Sequence, residues 1–129
     1  MFLPFTRLSF VVGFTGPPDE ARETGQGTAM ITFIRTSSIA PGKVVEALTF
    51  AHQVAALVEK ITGVKIGVTM PIGSGNPFRI AWVAMEADLG AFEATTAKVT
   101  SNSEYMKLVE SSASYFLPGS AHDELWRSA

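Results

Sequence analysis

Residues 41–63, PGKVVEALTFAHQVAALVEKITG, carry the longest unbroken period in the chain, and any fold it adopts must cover one face of this segment. Val44, Ala47, Leu48, Ala51, Val54, Ala55 and Val58 recur at steps of three and four. At about 100° per residue they share one arc of an α-helix, widened by Phe50, Leu57 and Ile61. Glu46, Thr49, Gln53 and Lys60 fall opposite and face water. Pro41 suits the first turn, where a missing N–H leaves nothing unsatisfied. Gly63 follows the last periodic residue and suits the left-handed conformation that stops a helix. His52 lies at the edge of the apolar arc. An imidazole there either points into a cleft or rests half solvated.

The flanking segments switch to a period of two. Residues 30–36, MITFIRT, place Ile31, Phe33 and Arg35 on one face and Met30, Thr32 and Ile34 on the other. Apolar residues on both faces suggest a strand in a sheet covered on both sides. Residues 64–72 alternate Val64, Ile66, Val68 and Met70 with Lys65, Gly67 and Thr69, and read as a second strand. GSGNP at 73–77 reads as a hairpin loop. Its Gly-x-Gly is not a phosphate cradle, because no Gly-Lys-Ser/Thr follows and the next segment is a strand. Residues 78–87 form that third strand, with Phe78, Ile80, Trp82, Ala84 and Glu86 on one face and Arg79, Ala81, Val83 and Met85 on the other. Asp88 is placed to cap a helix that buries Leu89, Phe92, Thr96 and Val99. Ser101-Asn102-Ser103-Glu104 has the capping-box pattern and opens a second short helix. A fourth strand is expected at 113–117, ASYFL, broken by Pro118-Gly119. Residues 122–127 are left as an edge segment or a tail.

The first 28 residues differ from the rest. LSFVVGF is too short to span a bilayer, and Gly16-Pro17-Pro18-Asp19 follows it where a signal peptide would have a small-x-small cleavage site. The next dozen residues are rich in breakers and have no apolar period. The expectation is a flexible N-terminal extension over 1–28 and one folded domain over 29–129.

Composition bounds the function. A hydrophobic content of 47% supports a full core, while a charged fraction of only 17% points to apolar surface buried on a partner. A net charge of −2 and the lack of any basic run argue against nucleic acid. No membrane association is expected. The chain has no cysteine, which removes disulfides, thiolate metal sites and a cysteine nucleophile, and fits a cytoplasmic protein. Two histidines leave few ligands for a metal, and a haem would need His52 or His122 as its axial ligand. No metal and no cofactor are expected.

The order strand, helix, strand, strand, helix pair, strand is βαββαβ, an α+β ferredoxin-like arrangement with a four-stranded antiparallel sheet. Helices would cover one face of that sheet. The other face still carries apolar side chains, and a second copy of the chain is the economical cover: a homodimer through the open sheet face, a dimeric α+β barrel.

The run IRTSSIAPGKVVEAL, a strand followed by Pro-Gly-Lys and an amphipathic helix, resembles the opening of NIPSNAP-like proteins. The run GSGNPFRIAWVAMEADLGAFEATTAKVTSNSEYMKLV is similar to their hairpin, aromatic-centred strand and helix pair. The resemblance spans residues 30–127. It implies the dimeric α+β barrel fold, shared with antibiotic-biosynthesis monooxygenases, stress-responsive barrel proteins and haem-degrading relatives.

A pocket in such a fold lies between helices and sheet. The candidate pocket residues are Arg35, His52, Trp82, Tyr105 and Tyr115. Each has a plainer reading: Trp82 alternates with Ile80 and Ala84 as a core residue would, and the tyrosines can bury rings while their hydroxyls stay wet. Arg79 and Glu86 point to opposite faces of one strand and cannot form one site. His122, Asp123 and Glu124 read as a solvated tail charge run rather than a metal cluster. Two functions fit. One is binding of a small apolar molecule between helices and sheet. The other is a cofactor-independent monooxygenase or isomerase-like enzyme for an aromatic or polyketide-like substrate, in which His52, Tyr105 or Tyr115 would move a proton.

Overall fold

The apolar period of residues 41–63 becomes one long helix, and the sheet forms beneath it. The computed structural model describes residues 30–129. Their elements are β1 (Ile31–Ser38), α1 (Val44–Thr62), β2 (Gly67–Thr69), β3 (Arg79–Glu86), α2 (Leu89–Thr100), α3 (Ser103–Ser111), a 3-10 turn (Ala113–Tyr115) and β4 (His122–Arg127). The extension expected over 1–28 lies outside the described residues.

α1 buries Ala47, Phe50, Ala51, Val54, Leu57 and Val58, the arc its period predicts. Gly63 stops it with φ 81°, its N–H donating to the Glu59 carbonyl at 2.7 Å. The start differs from expectation. Pro41 is not in the first helical turn; Pro41 and Gly42 form a turn ahead of the helix, closed by the Lys43 N–H on the Ala40 carbonyl at 3.1 Å. Gly42 has φ 79°, a left-handed conformation that no right-handed helix continues through, so α1 begins after it.

The sheet order is β2-β3-β1-β4, every pair antiparallel. This is the four-stranded α+β, ferredoxin-like layer expected from the sequence. Ile31, Phe33, Arg35 and Ser37 of β1 face the helices, as do Ile80, Trp82, Ala84 and Glu86 of β3. The main core joins α1 to Ile80 and Trp82, with Val99, Tyr105, Val109 and Phe116 closing around them. A smaller cluster of Phe33, Ala84 and Phe92 sits under α2. Each large apolar side chain so buried contributes about 1.5–3 kcal/mol by area.

Three expectations need correction. Residues 113–117 are not a strand. Ala113–Tyr115 form the 3-10 turn, and Phe116 makes a single bridge to Ile39 while its ring packs 5.8 Å from Phe50 and 6.0 Å from Trp82. The aromatic content that reads as a strand is there to plug the core. The fourth strand is β4, which pairs with β1 along its whole length. It is hidden in sequence because its inward residues are Asp123 and Leu125, and a charge at an inward position breaks the apolar alternation. β2 has three residues where nine were expected: only Gly67–Thr69 pair with β3, while Ile66 and Met70 on either side pack on the core as Val68 does.

The caps of α2 and α3 come from local chemistry. Asp88 Oδ1 accepts the Ala91 N–H at 2.8 Å. For α3 the cap is Asn102 rather than Ser101: Asn102 Oδ1 accepts the Tyr105 N–H at 2.8 Å, while the Ser101 hydroxyl donates back to the Lys98 carbonyl at 3.2 Å and finishes α2. That cap sets where Tyr105 enters the core.

On the outer sheet face Ile34 lies opposite Val83, and Thr32 lies between Met85 and Trp126. Met85 is 58% exposed and Trp126 59%.

Candidate functional site

The site starts at the middle of β1. Phe33 and Arg35 point inward from a strand paired on both sides. Arg35 has Trp82 of β3 as one cross-strand neighbour and Asp123 of β4 as the other. Its side chain is 2% exposed. Arg35 Nε donates to Asp123 Oδ1 at 2.6 Å and Nη2 to Oδ2 at 2.8 Å, a two-pronged pairing with a planar carboxylate. The guanidinium carbon lies 5.8 Å from the centre of the Phe33 ring. Direct opposition in the β1–β4 register makes this geometry possible, because facing residues of antiparallel strands come within side-chain reach.

Trp82 stands beside Arg35 on β3. Its indole N–H donates to the Ala51 carbonyl of α1 at 3.3 Å, and its ring meets Phe50 edge-on at 6.2 Å. The hydrogen bond pins the sheet to the helix and orients the indole. Tyr105 descends from α3 and is 1% exposed. Burial pushes its phenol up to about 12; the Arg35 charge and a hydrogen bond from Arg35 oppose the rise, and the Asp123 charge adds to it. The hydroxyl is therefore protonated throughout the neutral range.

These three side chains and Phe33 wall a recess between sheet and helices. Val54, Ala55 and Val58 of α1 and Ile66 before β2 complete it. The centre of a water-sized sphere can move in about 30 Å³ of it, and the whole hollow with its mouth is about 340 Å³. The inner space is tight, so an occupant is small. The surface offered is carbon, because the guanidinium is turned to Asp123 and the indole N–H to Ala51.

Of the five residues singled out from sequence, Arg35, Trp82 and Tyr105 line this recess. His52 does not: it is exposed on α1, rotated away from the sheet because Ala51 and Val54 take the buried positions around it. Tyr115 packs its ring 6.4 Å from Phe50, at the Phe116 end of the core. Sequence reading missed Asp123. The signal was there in the alternation of His122, Glu124 and Trp126 with Asp123 and Leu125, which separates the two acids onto opposite faces.

Glu124 belongs to the outer face. Its carboxylate accepts the Trp126 indole N–H at 2.9 Å and lies 3.1 Å from His122 Nε2. Those two contacts, the indole first, hold it below the usual carboxylate range. Glu86, at the inner end of β3, behaves oppositely. Burial raises its carboxyl, a hydrogen bond from Thr95 partly offsets this, and the Asp88 charge adds to the rise. Among the described residues no group of three or more His, Asp or Glu could hold a metal ion, and no helix is long and apolar enough to cross a membrane.

No family model matches the chain, and no curated protein matches it. Solved structures do. A NIPSNAP family protein of unknown function from Agrobacterium tumefaciens superposes with a TM-score of 0.65 at 14% identity, over 78% of this chain and 88% of that one. A second NIPSNAP family protein from the same organism gives 0.66 at 16%, over 79% and 88%. A putative antibiotic biosynthesis monooxygenase from Nitrosomonas europaea gives 0.59 at 10%, over 77% and 89%. At such identities the likeness is one of fold: this chain has a NIPSNAP-like α+β fold.

Proposed function

We propose that this chain binds a small apolar molecule in the recess between α1 and the sheet, and that it does so as a homodimer closed through the outer sheet face. The observation carrying the binding reading is the carbon-lined hollow at the centre of the fold, where Arg35, Trp82 and Tyr105 converge, the guanidinium turned to Asp123 and the indole N–H to Ala51. Only about 30 Å³ of it is open to the centre of a water-sized sphere, so the walls must give way for anything as large as a benzene ring. Toluene is a suitable first probe. It is expected to raise the melting temperature of the wild type by mass action and to leave Ala55→Phe, whose ring fills the recess, unmoved. No shift in the wild type at saturating toluene overturns the reading.

The dimer is supported by Ile34, Val83, Met85 and Trp126 standing together on one open face. Sedimentation at micromolar concentration is expected to give a dimer for the wild type and a monomer for Val83→Lys. A wild-type monomer refutes it. A cytoplasmic location is a reading the cysteine-free sequence supports.

A second reading has its own observation. Tyr105 keeps its proton at neutral pH while its oxygen accepts from Arg35, so its O–H remains a donor that a ligand oxygen at the recess wall could use. With the likeness to a putative monooxygenase, this supports a cofactor-independent monooxygenase or isomerase-like enzyme for an aromatic or polyketide-like substrate. Oxygen uptake in the presence of anthrone, lost in Tyr105→Phe, is the expected result; no uptake by the wild type ends that reading for this substrate class.

A further inference from the structure

Ser37 is the inward residue of β1 that follows Arg35. It is 1% exposed, and its hydroxyl has no hydrogen-bond partner among the described residues. A buried hydroxyl left bare gives up its hydration and gains nothing, so folded chains pair such groups with protein or with ordered water.

The path of the chain beside β1 explains why no protein group reaches it. Between the Ile39–Phe116 and Thr36–His122 pairings, β1 covers three steps and the facing chain six. The excess loops out as the turn Leu117-Pro118-Gly119-Ser120, in which the Ser120 N–H donates to the Leu117 carbonyl at 3.1 Å and Gly119 takes φ 75°. Ser38 holds the turn to β1: its N–H donates to Ser120 Oγ at 3.1 Å, and its carbonyl accepts the Leu117 N–H at 2.9 Å. The hollow under the turn is walled by Ser37, Ser112, Phe116, Leu117 and Ser120 among others, and it shares no residue with the recess beside Trp82. The centre of a water-sized sphere can move in about 10 Å³ of it.

The hydroxyls around the hollow define what fits. Ser112 Oγ spends its proton on the Val109 carbonyl at 2.7 Å, and Ser120 Oγ spends its own on the Leu117 carbonyl at 2.7 Å. Both oxygens keep a lone pair to offer, while Ser37 Oγ can give or take. No charged side chain stands in the wall. The matching ligand is therefore small, neutral, and able both to donate and to accept.

We propose that the hollow under the Pro118-Gly119 turn is a binding site for one structural water molecule, hydrogen-bonded to Ser37 Oγ and to at least one of the Ser112 and Ser120 oxygens. The space suits a single water, and the site is polar enough to hold it. An ammonium ion has donors and a similar size, but its charge would be buried with no carboxylate beside it. The water joins three stretches distant in sequence: β1, the residue that ends α3, and the turn that feeds β4. β4 begins two residues after Ser120, so the bridge fastens that strand where it comes down beside β1.

The test is a crystal structure of the full chain, grown without ammonium and at a resolution that shows ordered water. One water within about 3.2 Å of Ser37 Oγ and of one of the other two hydroxyl oxygens is expected. An empty hollow, or a Ser37 hydroxyl bonded to a protein group instead, overturns the proposal. In Ser37→Val, whose methyls fill the hollow, the water is expected to be gone; a water that stays overturns its assignment to Ser37. Stability gives an independent sign. Ser37→Ala is expected to raise the unfolding equilibrium constant about fivefold in urea, because a bonded hydroxyl is lost. A more stable S37A overturns the proposal, since removing a bare buried hydroxyl is what relieves the fold. Wild type is expected to melt alike in ammonium chloride and in sodium chloride of equal concentration; a rise specific to ammonium overturns the choice of water.

Discussion

β4 carries two acids side by side in sequence, and the sheet sends them to opposite worlds. Asp123 points inward and is gripped by a buried arginine; Glu124 points outward and is touched by an indole and an imidazole in open solvent. The hydrogen-bond counts are alike, two for each carboxylate. What differs is the partner's access to water. Arg35 is 2% exposed, so little water can take the place of Asp123 beside it, whereas water substitutes freely for His122 and Trp126 around Glu124. Equal-looking contacts on the two faces of one strand therefore carry unequal weight. The same contrast extends to the sheet as a whole. Its inner face is finished by α1, α2 and α3, while its outer face presents Ile34, Val83, Met85 and Trp126.

The sharpest way to break this comparison is to truncate each acid in turn. Asp123→Ala removes the carboxylate paired with the buried guanidinium and is expected to cost about 3 kcal/mol in urea denaturation. Glu124→Ala is expected to leave the midpoint where it was. Comparable losses in both variants would mean that burial does not decide the value of these contacts.

A somewhat smaller effect comes from Tyr105. Its phenol titrates near 10 in the unfolded chain and at about 12 in the folded one, so the folded state holds the proton more tightly. The full stability is thus present below about pH 10 and is lost as pH rises toward 12, by about 2–3 kcal/mol in all. Tyr105→Phe lacks this group, and the difference between wild type and Y105F in alkaline denaturation is the measurement. A flat difference across that window would show the phenol to be wet.

The smallest expected effect sharpens the comparison within the inner face. Glu86 is a buried carboxyl with no arginine bonded to it among the described residues, and its raised titration means that it favours folding in acid and loses that contribution as pH rises through its folded value. Glu86→Gln is expected to be slightly more stable than wild type at pH 7, with the gain vanishing toward acid. A loss of stability at pH 7 would show that Glu86, like Asp123, has a charged partner.

The limits of sequence reading follow the same line between local and distant. α1 was legible because its arc of alanines, valines and leucines is a property of consecutive residues, and Gly63 stops it by its own backbone freedom. Asp88 was legible as a cap because its carboxylate binds a backbone N–H three residues on. The inward positions of Trp82 and Arg35 followed from strand alternation. β4 was not legible, since a charge stands at its inward centre, and ASYF drew the assignment away with residues that fill the core rather than a ladder. His52 and Tyr115 share the other failing. An edge position on a helix and an aromatic in a turn do not reveal which way they face until the neighbouring elements are packed.

The sequence alone determined the helices, the alternation of the central strands and the order up to the helix pair, because each is a repeat in neighbouring residues that burial must respect. Only the tertiary structure decided that Arg35 meets Asp123, a partner 88 positions away. That contact depends on which strands lie together and in which register. Register is settled by the summed packing of the whole sheet against its helices, so it leaves no mark on either residue's own surroundings in the chain.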